Sequence, residues 1–181
     1  MIEEMLALAN PILLSVNVII GFSLFVYVFA HNFRSPVAQA YCALTAFVTL
    51  VYIVDLGLDR VLSREAAETW LRLQWAGIAF VPAAYLHFSE AILRTTGSQS
   101  RLRRVGVAAA YALGFASFLM AVSTDLIVRG IGSLDGIVHL MPGPLFSAFA
   151  AYYILASASG WGNIVRAEAR CLTSTSRRRM A

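Results

Sequence analysis

Five long stretches of this sequence contain no charged side chain. They cover residues 5–33, 35–54, 73–89, 105–124 and 136–165. A helix needs about 20 residues to cross a hydrocarbon core of ~30 Å, and roughly 17 to 25 residues are tolerated. Every stretch meets that requirement, the third only just. The pattern therefore predicts five membrane-spanning segments.

Each predicted span should be an α-helix, because lipid offers no partner to an unpaired backbone N–H or C=O group. A β-barrel would instead need strands of about ten residues with alternating polarity, whereas these stretches are continuously apolar and longer. We therefore predict an all-α integral membrane bundle over residues 1–166, followed by a basic tail over 167–181. The five helices are placed near 10–31, 36–57, 68–93, 103–127 and 141–166.

The composition agrees with a membrane protein and excludes sites that depend on a lysine amine. Hydrophobic residues make up 59% of the chain and charged residues 13%, whereas soluble domains carry about 25% charged residues. All 14 basic residues are arginines, so no lysine amine is present for a Schiff base or a phosphate-binding loop. The net charge of +4 indicates membrane topology and no nucleic-acid partner, because the arginines lie between the apolar stretches.

Topology follows from the positions of the arginines. Ten of the 14 lie after the first predicted span, after the third, or in the tail, at Arg34, Arg94, Arg101, Arg103, Arg104, Arg166, Arg170 and Arg177 to Arg179. Cytoplasmic loops of membrane proteins carry the excess of arginine. We therefore expect the N-terminus outside, and the C-terminus in the cytoplasm, of a bacterial inner membrane. The residues expected at the membrane interface are Trp70, Arg94, Arg101, Arg103 and Arg104.

The third predicted span begins with the densest group of candidate functional residues. Polar side chains inside a span are costly and are therefore functional candidates by default. Arg72, Gln74 and Trp75 lie here, and Asp55 ends the preceding span on the same side of the membrane. Pro82 should kink this helix, because it leaves a backbone carbonyl unpaired. We predict an outward-facing ligand cavity formed by Asp55, Arg72, Gln74 and Trp75 and closed by the fifth helix.

A structural interpretation of the same region stays open. Three amides inside the spans are suited to hydrogen bonds between helices, namely Asn17, Gln39 and Gln74. Arg72 can pair with Asp55 or with Glu68. Trp70 and Trp75 would then be anchors at the membrane interface.

Two histidines near the cytoplasmic ends of their spans, His31 and His87, could ligate a haem or a metal ion. Glu90 lies one turn after His87 on the same helix face. The alternative is that both histidines cap helix ends at the interface, with Glu90 paired to Arg94. No third or fourth ligand is evident, so we expect no cofactor and keep haem or another pigment as the alternative.

The sequence lacks the motifs of common enzymes. It has no G-x-S-x-G, no H-E-x-x-H and no glycine-rich phosphate loop, so we expect no catalytic activity.

Small residues are frequent in the fourth and fifth predicted spans, which permits close packing of helices. That packing could lie within one chain or between the subunits of a homo- or hetero-oligomer. The lipid bilayer is the other expected partner.

Several patches resemble the N-terminal seven-helix membrane region of many bacterial histidine kinases and some diguanylate cyclases. They are the run Trp-x-Arg-Leu-Gln-Trp-x-Gly over residues 70–77, Pro82 and the pair His87-Phe88. Gly143-Pro144-Leu145-Phe146, followed by Tyr152-Tyr153, is similar to the start of that region's fifth helix, and Arg177-Arg178-Arg179-Met180 to the start of its sixth. The resemblance implies sensing or membrane anchoring, in which a stimulus shifts helices and a cytoplasmic output domain reads the change.

The leading functional hypothesis is therefore a membrane-embedded sensor or input module of a signal-transduction protein. The chain ends where a sixth helix would start, so we expect either a fragment of a longer sensor or a shortened relative. The alternative is a structural or accessory subunit of a larger membrane complex, which packs against partner helices, lipid or pigment. A small transporter is less consistent with the sequence, because no inverted repeat is visible.

Overall fold

The computed structural model describes residues 2–58, 63–134 and 137–179. In these ranges the chain forms six helices and one antiparallel hairpin: α1 (Ile2–Asn32), α2 (Pro36–Leu58), α3 (Arg64–Ile78), α4 (Val81–Thr95), α5 (Arg101–Ser123), β1 (Val128–Leu134), β2 (Ile137–Pro142) and α6 (Phe146–Arg179). A mostly helical bundle is confirmed. The run over residues 177–180, compared above with the start of a sixth helix, does not start one within the described residues: Arg177 to Arg179 continue α6 without interruption, and Met180 lies outside the described residues.

Four helical segments among the described residues are long and apolar enough to cross a membrane. They are Ala9–Asn32, Pro36–Leu58, Arg64–Thr95 and Arg101–Ser123. The first four predicted spans each fall within one of these segments or overlap most of it. The fifth predicted span lies in α6, which is not among the four, and α6 continues through the predicted tail to Arg179.

The third predicted span is two helices rather than one. α3 ends at Ile78 and α4 begins at Val81, with Pro82 in its first turn. The proline ring would clash with the carbonyl of Ile78 in a continuous helix, and it provides no N–H group to bond that oxygen. In the first turn of a new helix a missing N–H costs nothing, because that turn has no intrahelical acceptor for it. Ala79 and Phe80 keep right-handed helical backbone angles, so the chain is kinked at Pro82 as predicted, and α3 and α4 together form the single apolar segment Arg64–Thr95.

β1 and β2 pair as an antiparallel β-hairpin, and this corrects the prediction for the last helix. Val128 pairs with Pro142 and Leu134 with Ile137. The backbone N–H of Gly143 donates to the Ile127 carbonyl at 2.8 Å, and a Cβ on Gly143 would overlap the Leu126 carbonyl. Strand pairing thus reaches Pro142, and Pro144 and Leu145 then form a turn in which the Phe146 N–H donates to the Gly143 carbonyl at 3.2 Å. For this reason α6 begins at Phe146 instead of near residue 141.

Helices that follow one another along the chain run in opposite directions when α3 and α4 are counted as one segment, as successive spans of a membrane bundle must. The rings of Phe47 in α2 and Phe80, just before α4, stack at 5.0 Å. α6 runs parallel to α3 and α4, since Phe149 contacts Trp75 and Asn163 contacts Ser89. One end of the bundle, the acidic end, therefore carries Asp55, Glu68 and Asp125. The opposite, arginine-rich end carries Arg34, Arg94, Arg101, Arg103, Arg104, Arg166 and Arg170.

The core lies nearer the acidic end, where α3, α5, α6 and the hairpin meet. Its buried residues are Trp75, Ala79, Ala121, Ile127, Val128 and Phe149. Trp75 is only 5% exposed, so it is a core residue here and not an interfacial anchor. Gly114 of α5 packs against the Ala79 carbonyl, and Gly160 of α6 packs against the Tyr85 ring. These two small residues are thus used for packing within the chain.

Trp70 joins α3 to α2. Its indole Nε1 donates a hydrogen bond to the Val54 carbonyl at 2.7 Å, and its ring lies over Gly57. We expect Trp70→Phe to lower the free energy of unfolding by roughly 0.5–1.5 kcal/mol, because one hydrogen bond is lost while most of the ring packing remains. Unfolding in mixed micelles, followed by tryptophan fluorescence, measures the change.

Trp161→Phe is the matched control for this substitution. Trp161 is 66% exposed on α6, so the same change there should stay within about 0.5 kcal/mol of the unsubstituted chain. Equal destabilisation by both variants would contradict a specific role for the Trp70 hydrogen bond.

Candidate functional site

A cavity of about 680 Å³ opens at the acidic end of the bundle. We call it the acidic-end cavity. Its walls come from α1, α2, α3, the hairpin and the first residue of α6, and its lining residues are Asn10, Leu14, Asp55, Leu58, Leu71, Gln74, Trp75, Ile78, Val128, Val138, His139, Leu140 and Phe146. Three of the four residues predicted for a ligand cavity thus lie in the wall of one cavity.

Helical periodicity explains how α3 contributes to this wall. Leu71, Gln74, Trp75 and Ile78 line the cavity, and their spacing of three, four and seven residues places them on one face of a helix. The helix is fixed at its start by Ser63, whose side chain accepts a hydrogen bond from the Ala66 backbone. One regular helix face therefore presents an amide, an indole and two aliphatic side chains to the same space.

Asp55 and Gln74 form the polar centre of the wall. Gln74 Nε2 donates to Asp55 Oδ1 at 2.5 Å and to the Val51 carbonyl at 3.3 Å. Gln74 is buried and Asp55 is half-buried. The predicted hydrogen bond between helices is confirmed for Gln74. Asp55 lines the cavity, and the bond to Gln74 uses one carboxylate oxygen, so the second oxygen has the capacity to accept a further hydrogen bond.

Arg72 does not line this cavity, which corrects its predicted place beside Asp55. Its guanidinium lies on the opposite face of α3 and contacts the C-terminal end of α5. Arg72 Nη1 donates to the carbonyls of Ala121 at 2.7 Å and Thr124 at 3.0 Å. Arg72 also pairs with Asp125 at 2.6 Å and with Glu68 at 3.0 Å. Of its two predicted partners, Glu68 is confirmed and Asp55 is not.

Two further polar side chains in the cavity wall, Asn10 and His139, were not predicted from the sequence. Asn10 faces the cavity from α1, and His139 faces it from β2. Asn10 could have been found, because it is an amide in the first charge-free stretch, as Asn17 is. His139 could not have been predicted, because its position depends on the hairpin register that pairs it with Gly132.

The other two amides predicted to form hydrogen bonds between helices, Asn17 and Gln39, are exposed. Gln39 donates to the Phe33 carbonyl in the α1–α2 turn at 3.1 Å.

The two predicted histidine ligands have separate partners. His31 is exposed, stacks on Tyr27 at 4.7 Å and bonds the Tyr27 carbonyl one turn earlier. His87 is half-buried, and its Nδ1 lies 3.3 Å from the hydroxyl of Tyr111 in α5. In the part of the chain that the structure describes, no group of three or more His, Cys, Asp or Glu side chains is arranged to hold a metal ion.

The arginines predicted at the membrane interface gather where α4 ends and α5 begins. Arg101 and Arg104 are exposed, and Arg94 is half-buried. Arg103 Nη2 donates to the carbonyl of Ser98 and to its hydroxyl, closing the connection between the helices. Glu90 is 3% exposed, and no ion pair between Glu90 and Arg94 forms among the described residues. The predicted pairing of these two side chains is therefore not seen.

Comparison with known proteins agrees with the resemblance inferred from the motifs. A sequence model described as the N-terminal 7TM region of histidine kinase matches residues 13–181. No curated protein and no solved structure matches the chain. The family match covers the first apolar helical segment from residue 13 onward, the other three segments, the hairpin and α6. This chain belongs to the family of N-terminal 7TM regions of histidine kinases.

Proposed function

We propose that this chain is a membrane-embedded sensor module whose stimulus binds in the acidic-end cavity. The observation that carries the proposal is the place of Phe146. It lines the cavity and is also the first residue of the 34-residue helix α6. A ligand that displaces Phe146 acts directly on a helix that extends to the arginine-rich end. A sensor requires such a connection between a binding site and a distant readout.

The lining chemistry narrows the class of stimulus. Most of the wall is aliphatic or aromatic, and Asp55 is the one Asp, Glu or Arg side chain among its described residues. A ligand with an apolar body and a hydrogen-bond-donating or cationic group fits that wall, with the group directed at Asp55 Oδ2. Gln74 keeps Asp55 in place for this contact, because it bonds the other carboxylate oxygen.

Helix α6 is suited to transmit the signal. It packs along α4, where Asn163 Nδ2 donates to Ser89 Oγ at 3.3 Å and both residues are buried. Buried polar contacts have few alternative arrangements, so a shift of α6 exchanges one defined contact for another. An output domain or partner at the arginine-rich end would read that shift. We propose no catalytic step and no cofactor in this chain itself.

The proposal includes a topology. α6 is the fifth span, the N-terminus and the acidic-end cavity face outward, and the arginine-rich end lies on the cytoplasmic side of a bacterial inner membrane. The arginine bias supports this orientation, because the positive charges collect at one end of the bundle. The cavity would then be open to the exterior, where a stimulus can enter it.

An accessory role in a larger complex is the second candidate, and α1 is the observation that favours it. α1 packs mainly on α2, and much of its apolar surface is exposed, including Ile12, Leu13, Ile19, Phe22 and Tyr27. Either lipid or a partner helix can cover such a surface. Crosslinking from Ile19 in native membranes separates a partner helix from lipid alone.

Filling the cavity covalently tests the sensor proposal without a known ligand. The chain has two cysteines, Cys42, which is buried, and Cys171. Val138 lines the cavity from β2, and a Val138→Cys chain that also carries Cys171→Ser can be modified with hexyl methanethiosulfonate. We expect backbone amide exchange to change in α6 beyond Asn163, because the hexyl group displaces Phe146 and moves the helix. Hydrogen–deuterium exchange with mass spectrometry measures each segment.

Leu119→Cys is the matched control, since Leu119 is 46% exposed on α5 and lies away from the cavity lining. The same reagent at that position should leave α6 unchanged. A response confined to the hairpin and α3, or an equal response from Leu119→Cys, would overturn the coupling between cavity and α6.

A further inference from the structure

A second polar cavity, of about 640 Å³, lies at the arginine-rich end. We call it the arginine pocket. Its lining residues come from the start of α2, the end of α4 and the start of α5, and they are Pro36, Glu90, Arg94, Gln99, Ser100, Arg101 and Arg104. It shares no lining residue with the acidic-end cavity and lies at the other end of the bundle. The sensor proposal does not use it.

Two features of the arginine pocket favour an anionic ligand. Arg94, Arg101 and Arg104 contribute guanidinium groups, which bind phosphate oxygens in a forked geometry. The pocket also includes the first turn of the 23-residue helix α5. Unpaired N–H groups of a first turn attract negative charge. The N-cap Ser100 bonds the Arg103 backbone, which leaves the N–H groups of Arg101 and Leu102 as the free donors of that turn.

The position of Glu90 indicates that the ligand carries a cationic group as well as an anionic one. Its side chain lines the pocket, it is 3% exposed, and its Oε1 accepts no hydrogen bond from the described residues. A buried carboxylate oxygen without a donor is costly. It would also repel a ligand that carried only negative charge. Oε1 itself is closed to solvent, so a cationic hydrogen-bond donor next to the ligand's anion would meet the part of Glu90 that lines the pocket and would offset its negative charge there.

We propose that the arginine pocket binds a phosphate ester that carries a primary ammonium group, as in the headgroup of an aminophospholipid. The phosphate lies between Arg101, Arg104 and the first turn of α5. The ammonium donates a hydrogen bond to Glu90. The position suits a lipid headgroup, because the pocket lies at the ends of helices that are apolar and long enough to cross a membrane.

The test compares ligands on the delipidated full chain in detergent. The probes are short-chain phosphatidylethanolamine, phosphatidylglycerol and phosphatidylcholine, together with phosphoethanolamine and inorganic phosphate. Binding is measured from the shift of the unfolding temperature with ligand concentration. We expect phosphatidylethanolamine to bind about tenfold more tightly than phosphatidylglycerol or phosphatidylcholine, since neither of these has an ammonium N–H to donate.

The soluble probe identifies the source of the phosphate ester. Preference for phosphatidylethanolamine over phosphoethanolamine assigns a lipid, and equal binding of the two assigns a soluble ester. Both results support the proposed chemistry. Inorganic phosphate binding as tightly as either compound would overturn it.

Two sets of variants test the assigned contacts. Glu90→Gln should remove the preference for phosphatidylethanolamine over phosphatidylglycerol, and Arg101→Gln with Arg104→Gln should weaken both lipids by tenfold or more. Arg170→Gln, an exposed arginine at the same end of the bundle, is the matched control and should change neither. A preference unaffected by Glu90→Gln, or equal losses with Arg170→Gln, would overturn the proposal. If Glu90→Gln fails to fold, the ligand comparison and the exposed arginine variants still decide it.

Discussion

Replacing Arg72 by glutamine is expected to lower the free energy of unfolding by roughly 2–4 kcal/mol, the range for a largely shielded charge with several hydrogen-bonded acceptors. The side chain of Arg72 is 15% exposed. It supplies donors to the Ala121 and Thr124 carbonyls, which are among the last of α5 and lack intrahelical partners. A cation at a helix C-terminus also interacts favourably with the helix dipole. Glutamine is too short to replace these contacts.

Unfolding by sodium dodecyl sulfate in mixed micelles measures the effect, and two variants divide it into its parts. Arg72→Lys keeps the charge without the forked geometry, so we expect an intermediate loss. Asp125→Asn removes the ion pair alone, and because the Asp125 side chain is 73% exposed it should cost less than about 1 kcal/mol. If Asp125→Asn were as damaging as Arg72→Gln, the carbonyl contacts would not be the main contribution.

The first four spans could be predicted from the sequence because the physics that determines them is local. A stretch without charges and long enough to cross lipid must be helical wherever it lies in the bundle. The break at Pro82 is local for the same reason, since the ring acts on the carbonyl four residues earlier. The alternation of arginines predicted that Arg34, Arg94 and Arg166 lie at one end, because each span reverses the direction of the chain.

The hairpin could not be predicted in that way. Residues 128–142 mix glycines with hydrophobic side chains, and no single strand shows a regular alternation of polarity. Pairing is interrupted between Arg129 and Ile131, where Gly130 takes a positive φ of 45°. The pairing also depends on backbone contacts of Gly143 and Leu145 with residues 126 and 127. These contacts join residues on opposite sides of the hairpin, so they cannot be inferred from one local stretch of sequence.

The candidate site was partly predictable for a geometric reason. Asp55 and Gln74 were expected near the same end of the bundle, and they form a hydrogen bond there. Arg72 and Gln74 lie two residues apart on one helix, and side chains at that spacing point to different faces. This spacing alone shows that Arg72 and Gln74 cannot both line one cavity wall. It does not show which of the two faces of α3 packs against α2 and which against α5, because that depends on the packing around Trp75.

Gly114→Ala and Gly106→Ala are expected to act with opposite sign, although both remove a glycine from the same helix, α5. A Cβ on Gly114 would lie 2.7 Å from the Ala79 carbonyl oxygen, whereas a Cβ on Gly106 meets nothing within 4 Å. Ala79 lies at the break between α3 and α4, so its carbonyl can move only if both helices shift. We therefore expect Gly114→Ala to destabilise the chain by about 1–3 kcal/mol through overpacking.

At Gly106 the higher helix propensity of alanine should act without opposition and should stabilise the chain by up to about 1 kcal/mol. The same mixed-micelle unfolding measures both variants, and each serves as the control for the other. Equal changes at the two positions would mean that α5 does not approach Ala79 this closely. Opposite signs would place the Gly114 face of α5 against the α3–α4 break, which is the contact that lets Arg72 reach the end of α5.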